Sequence, residues 1–205
     1  MGWSRHHKNG LIHNSPQRSW PGYTLTATRG GVYANLLDMG GRVCHRWYNS
    51  KGINYGFLLP NGNLLARTGS APEGMGVGGS SKSILELDWD SNVVWETRFP
   101  LLHHDFHRTD AGTTLALAWE ILPKELAATV SGGYHEDEPG PDMWGDKVVE
   151  IAQDGSVMNT WNAWEHLDPA IDVICPLENR REWTHANSIS LTPGGEFLIS
   201  FRQTS

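Results

Sequence analysis

Three glycines, Gly62, Gly112 and Gly195, each divide a pair of short apolar runs, and this recurrence constrains the fold more than any single motif. The segments are Leu58-Leu59-Pro60-Asn61-Gly62-Asn63-Leu64-Leu65, Arg108-Thr109-Asp110-Ala111-Gly112-Thr113-Thr114-Leu115 and Thr192-Pro193-Gly194-Gly195-Glu196-Phe197-Leu198. Aligned on the glycine, their flanking apolar positions fall into step. Asn-Gly, Ala-Gly and Gly-Gly between apolar runs are hairpin turns, with glycine supplying the positive φ such turns need. Upstream of each copy lies a second hairpin that ends in tryptophan: Val32 to Trp47, Ile84 to Trp95 and Val148 to Trp161.

Each repeat therefore reads as strand, turn, strand ending in Trp, connection, strand, Gly turn, strand. Four short antiparallel strands in about 50 residues is the arithmetic of a β-propeller blade. The chain is expected to be all-β, a single but incomplete propeller domain with three blades at about 30–68, 83–119 and 147–202. Three blades are about half of a six-bladed ring and leave open sheet edges, which a closed ring removes. The remaining half, as further chain or as a separate polypeptide, is thus an expected partner. Long excursions at 120–146 and 162–182 read as loop insertions that carry specificity, the second with a short helical turn at Trp164-Glu165-His166-Leu167.

Composition agrees with this class. Twenty-three glycines, ten tryptophans and 39% hydrophobic residues fit a turn-rich β protein with a real core. Sixteen basic against 23 acidic residues, a formal charge of -7, argue against nucleic acid or an anionic membrane as the main partner. The first residues lack the apolar core of a signal peptide, and no stretch approaches the ~20 apolar residues of a membrane helix. On those grounds the chain is expected to be soluble and cytoplasmic. Cys44 and Cys175 are far apart in sequence and lie in dissimilar settings, so they indicate neither a zinc site nor a disulfide framework. No cofactor is implied.

The chemistry concentrates in two runs, Leu102-His103-His104-Asp105-Phe106-His107 and Trp183-Thr184-His185-Ala186-Asn187-Ser188-Ile189. Counting back from the aligned glycines puts Asn54, His104 and Asn187 at one shared position. His185 lies two residues before Asn187, which on an extended strand sends both side chains to one face. In a propeller this strand lines the central channel, where convergent histidines can do acid–base work, attack as nucleophiles or bind a metal. His104, His185 and Asn187 are the core of this expected site, with His103 and His107 in support. His6, His7 and His13 sit in an irregular stretch and read as ordinary surface residues. Trp47, Trp95 and Trp161 read as packing between blades, and Asp88, Asp90, Asp110 and Asp154 as turn residues. Glu136, Asp137 and Glu138 read as a solvated loop, without the ligand spacing of a calcium site.

With these pieces in place the chain resembles the bacterial arylsulfotransferase family, six-bladed propellers that move a sulfuryl group without a nucleotide donor. The likeness runs from Gly10-Leu11-Ile12 and Trp20-Pro21-Gly22-Tyr23-Thr24-Leu25 to Arg202, and is most specific at His103-His104-Asp105-Phe106, His185-x-Asn187 and Arg202. The resemblance implies that His104, or its neighbour His103, is the first active-site histidine, and that His185, Asn187 and Arg202 surround the sulfuryl group. It also implies a small phenolic or aryl-ester substrate and a periplasmic or exported location. The histidine that the family sulfates lies on a later blade and has no counterpart within residues 1–205. Two alternatives stand beside this reading. One is a lyase or hydrolase of the same superfamily using His103, His104, His107 or His185 as acid, base or metal ligands; the other is a non-catalytic propeller scaffold.

Overall fold

All six turns read from the sequence close hairpins, and they do so with one geometry. The computed structural model describes residues 11–69, 79–135 and 142–204; His6, His7 and the run Glu136, Asp137 and Glu138 lie outside them. The strands are β1 (Thr24–Ala27), β2 (Tyr33–Leu37), β3 (Val43–Tyr48), β4 (Tyr55–Leu58), β5 (Leu64–Thr68), β6 (Ser80–Leu87), β7 (Val93–Arg108) and β8 (Thr114–Ile121). After a single helical turn, α1 (Lys124–Ala127), come β9 (Gly132–Tyr134), β10 (Trp144–Ile151), β11 (Val157–Asn162), β12 (Ile174–Asn179), β13 (Ala186–Leu191) and β14 (Phe197–Phe201). The described protein is nearly all-β and its hairpins are antiparallel. No helix among the described residues is long and apolar enough to cross a membrane.

In each hairpin the first turn residue donates its N–H to the carbonyl four residues on and accepts from the N–H three on. Leu59 does so with Asn63 and Gly62, Thr109 with Thr113 and Gly112, and Thr192 with Glu196 and Gly195. The fourth residue is left-handed: φ is +86° at Gly62 and +85° at both Gly112 and Gly195. This is a type I turn closed by a left-handed residue. Ser91 takes that place in the β6–β7 turn at φ +69°, where its Oγ accepts the N–H of Tyr48 at 3.1 Å. Asp38, Asp88 and Asp154 each fold a carboxylate oxygen back onto turn amides, as Asx turns do.

The ladders group the hairpins differently from the sequence repeat. β5 pairs with β6 from Leu64↔Leu87 to Thr68↔Ser83, and β8 pairs with β10 along eight residues from Trp144↔Ile121 to Ile151↔Thr114. A Gly-turn hairpin therefore bonds to the Trp hairpin that follows it, half a repeat out of step with the grouping at 30–68, 83–119 and 147–202. The connection expected between Trp95 and His104 is absent as well, because β7 runs unbroken for 16 residues through both.

Two compact units divide the chain: one contains Met1–Gly69 and Ser83–Thr97, the other Ser70–Lys82 and Arg98–Ser205. In the first, Trp47 is fully buried among Ala34, Ile53, Leu64, Ala66, Leu85 and Leu87, and its indole N–H reaches the Asp88 carbonyl at 3.1 Å. In the second, Leu115 and Leu117 of β8 meet Val148 of β10 and Ala186 and Ile189 of β13, with Trp161, Phe197 and Phe201 packed against them. β8 is buried on both faces from Thr114 to Trp119, which is why it reads as a continuous apolar run rather than an alternating one. Cys44 and Cys175 are both free thiols.

The long excursions, expected as loop insertions, hold structure of their own. β9 and β12 pair in parallel, Ile174↔Gly132 and Asn179↔Tyr134. A side chain at Gly132, itself at φ +83°, would run into the Ile174 backbone, so glycine is required for the close approach. Beneath this ladder Leu122, Val130, Met143 and Ile174 enclose Trp183, whose indole N–H binds the Asp172 carbonyl at 2.6 Å. A short 3-10 turn at Ala163–Glu165 stands where a helical turn was expected.

Glu120, near the end of β8, is a cost to this unit. Burial holds its carboxyl above the usual range, with Lys147 and a hydrogen bond from Trp164 only partly opposing. Ionising it costs more in the folded state than in the unfolded, so stability declines as pH rises from the ordinary carboxylate value through the raised one. Glu120→Gln is expected to raise the melting temperature at neutral pH and to match the wild type below the carboxylate range, as scanning calorimetry at the two pH values would read.

Candidate active site

The second unit carries a line of buried polar groups that begins on β8. Leu115, Leu117 and Trp119 share one face by strand alternation, and Asp146 of β10 stands directly opposite Trp119 in the ladder. The apolar layer thus ends in an indole beside a carboxylate that is only 2% exposed. Asp146 Oδ2 accepts the Thr184 hydroxyl and, at 2.9 Å, the Ala186 N–H. Its Oδ1 lies 2.9 Å from His103 Nε2 without hydrogen-bond geometry, and neither atom has a hydrogen-bond partner among the described residues.

A bulge in β7 delivers His103 and His104. Leu102 pairs with Ala118 and Phe106 with Ala116, so His103, His104 and Asp105 together face the single residue Leu117. Extra residues on one strand bend it and re-aim side chains. Asp105 pins the bulge, accepting the N–H of Phe106 at 2.9 Å and of Ile189 on β13 at 3.0 Å. His103 is fully buried, its ring stacked on Trp119 at 4.0 Å and 21°.

From His103 the contacts run on without a break. His103 Nδ1 lies 3.0 Å from His104 Nδ1, and His104 Nε2 lies 3.3 Å from His185 Nε2. His185 Nδ1 bonds the Glu182 carboxylate. Asp146, His103, His104, His185 and Glu182 therefore form one chain, a carboxylate at each end and three imidazoles between. His104 and His185 both have left-handed backbones, φ +41° and +54°. For residues other than glycine this conformation costs about 1–3 kcal/mol and clusters at functional sites.

Gly79 closes one side of His104. Its carbonyl accepts the His104 N–H at 3.2 Å, and a methyl group on its α-carbon would overlap the imidazole ring. At φ +71° an alanine there also carries a backbone penalty of about 1–2 kcal/mol. Gly79→Ala is expected to displace the ring and lower activity at least about tenfold, with a stability loss of only that backbone size in a denaturant titration.

The other expected site residues are placed unevenly. His185 precedes β13 rather than lying within it, and the β13 ladder shifts register between Ala186 and Ser188. Strand alternation therefore does not link His185 to Asn187: the histidine is buried and the asparagine exposed. Arg202 donates its backbone N–H to the His185 carbonyl at 3.1 Å, while its guanidinium pairs with Glu178 at 2.8 Å. His107 stands opposite Leu115, with no bond or ring contact to the imidazole chain. Asn54 belongs to the first unit, where its side chain holds Gly30 N–H and the Gly69 carbonyl. His13 approaches Ser15 Oγ at 3.2 Å in an exposed segment. Among the described residues no group of three or more His, Cys, Asp or Glu side chains is arranged to hold a metal ion.

Asp146, Glu182, Trp119 and Asp105 were not among the residues expected from sequence. Glu182 lies one turn of chain before His185, and Asp105 stands inside the His-His-Asp-Phe run, so both had a local signal. Asp146 and Trp119 had none, since only the β8–β10 register brings them together. A separate cavity of about 390 Å³ opens at the far end of the same ladder, lined by Leu115, Glu150, Trp161, Leu191 and Phe197. Its one carboxylate, Glu150, is saturated by hydrogen bonds from Asn159 and Thr113, which hold it below the usual range.

In this nearly all-β protein a bulged strand presents paired histidines, with a further histidine ahead of the β13–β14 hairpin and an arginine behind it. The arylsulfotransferase (ASST) family model matches residues 96–205, more than half of the chain and all of the site except Gly79. The chain belongs to the arylsulfotransferase family. No curated protein matches it. Among solved structures it is similar to a protein of unknown function from Bacteroides caccae, at 16% identity and a TM-score of 0.44, covering 87% of this chain and 53% of that one. The chain thus spans about half the length of that protein.

Proposed function

We propose that the histidine chain is part of the active site of a sulfotransferase acting on phenolic or aryl-ester small molecules, on a propeller whose further blades complete the pocket. The observation that carries this reading is the direct approach of His104 and His185 through their Nε2 atoms on two strained backbones. Such strain persists only where the surroundings enforce it. Family membership supports the reaction class, and the residue types suit it. A sulfate ester needs donors for its anionic oxygens, and an imidazole accepts the proton of a phenol.

Arg202 fits the anion-binding part. Its guanidinium side chain is 45% exposed in its pair with Glu178, and an exposed ion pair contributes only about 0–1 kcal/mol. Exchanging the Glu178 carboxylate for a sulfuryl oxygen is therefore inexpensive, and Asn187, exposed on the neighbouring strand β13, offers a neutral donor.

Incubating the purified full-length protein with a chromogenic aryl sulfate and a second phenol tests the reading. Phenol release that depends on the acceptor, with the sulfated acceptor identified by mass, is the expected result. Release of free sulfate without an acceptor would make the protein a hydrolase, and release of neither would remove the sulfuryl reading.

A further inference from the structure

We propose that Glu182 is the positioning residue of this site: it holds the ring hydrogen of His185 on Nδ1 and so makes Nε2, the nitrogen that faces His104, a proton acceptor. The inference names the base of the transfer proposed above and rests on that reading for its purpose, though not for its geometry.

Backbone contacts place both partners independently of their side chains. Glu182 bridges Trp144 of β10 in parallel. On either side of it the Trp144 N–H donates to the Arg181 carbonyl at 2.7 Å and the Trp183 N–H to the Trp144 carbonyl at 2.8 Å. Further along, the Thr184 and His185 carbonyls accept the N–H groups of Gln203 and Arg202 at 3.0 and 3.1 Å. An extended chain would set residues three apart on opposite faces. The bend at Trp183 and the left-handed backbone of His185, φ +54°, bring this pair together, and His185 Nδ1 meets the Glu182 carboxylate.

The tautomer follows from what each atom can do. An ionised carboxylate only accepts, so the hydrogen of this contact sits on His185 Nδ1. A neutral imidazole carries one hydrogen, which leaves Nε2 as a bare lone pair. That lone pair lies 3.3 Å from His104 Nε2, so the hydrogen between these two rings belongs to His104. The separation is longer than the ~2.7–3.2 Å of a well-made hydrogen bond from nitrogen, and a phenolic hydroxyl can take the place of the His104 N–H. Its O–H bond then breaks as the Nε2–H bond forms, the electron pair stays on the phenolic oxygen, and the imidazolium so made keeps its Nδ1–H on Glu182.

The surroundings limit competition from water. Glu182 and His185 are each 7% exposed, and the side-chain amide of Gln203, itself 2% exposed, lies against Glu182. The Trp119 ring meets the His185 ring at 5.4 Å and 73°. In such a setting a hydrogen bond to a carboxylate is stronger than in water. An amide of the same shape, which donates as well as accepts, does not impose the tautomer.

Ring-nitrogen NMR of full-length protein labelled with 15N-histidine, at the pH of the activity assay, reads the tautomer directly. In the wild type His185 is expected to carry hydrogen on Nδ1 and none on Nε2. Glu182→Gln is expected to put hydrogen on His185 Nε2 and to lower kcat for sulfuryl transfer about 100-fold, with KM within about threefold of the wild type. Hydrogen on Nε2 in the wild type would overturn the proposal, and that spectrum needs no variant to fold. So would a folded Glu182→Gln that keeps the Nδ1 tautomer, or one that changes tautomer and still turns over at the wild-type rate. The expected tautomers without sulfuryl transfer by the wild type would strike the reaction class alone, and transfer with the wild-type hydrogen on Nε2 would strike this inference alone.

Discussion

Asp146→Ala is expected to destabilise the second unit by about 3–5 kcal/mol, the range for removing one partner of a buried charged pair. The carboxylate is 2% exposed and accepts from the Thr184 hydroxyl and the Ala186 N–H at the start of β13, with the His103 ring of the β7 bulge 2.9 Å from its other oxygen. Alanine leaves both donors buried and unmet, and no water has ready access to them. At about 2–4 °C per kcal/mol for a chain of this size, the melting temperature should fall by roughly 10 °C. Asp146→Asn keeps one acceptor oxygen and should lose less than half as much. Denaturant titration of the two variants checks both numbers, and equal losses would show that the acceptor oxygens are not what matters there.

The second large effect falls on turnover. His104→Ala and His185→Ala are each expected to lower kcat/KM by about 10²–10⁴-fold, the usual contribution of a positioned acid or base. Because the two rings touch and act as a unit, the double variant should be little worse than either single one. A product of the two single losses would instead mean that the rings work independently. His107→Ala, outside the imidazole chain, should stay within about threefold of the wild type.

Much of this could be seen in the chain itself, for physical reasons that differ between elements. Hairpins are local: Asn61-Gly62 and Gly194-Gly195 carry their own turn chemistry, and all six form. Repeat alignment likewise put His104 and Asn187 at one position of the repeat, because equivalent turns fix equivalent distances along the strand. Strand grouping was less legible, since the β5–β6 and β8–β10 ladders depend on which hairpin docks on which. The period-2 link between His185 and Asn187 failed at a left-handed residue, and no residue type other than glycine announces that conformation. Asp146 lies 38 residues from Thr184 and 43 from His103 in sequence, joined to them by tertiary contacts that no local pattern encodes. The β9–β12 pair was hidden for the same reason, and Gly132 and Gly133, which ordinarily weaken a strand, read there as loop.

One turnover measurement bears on the central claim that His104 and His185 form the reacting centre of a sulfotransferase. Labelled sulfuryl transfer from an aryl sulfate to a phenol is followed with wild-type protein and with His185→Ala of verified fold. The account predicts label in the acceptor for the wild type and at least about 100-fold less for the variant. Undiminished transfer by His185→Ala would contradict it.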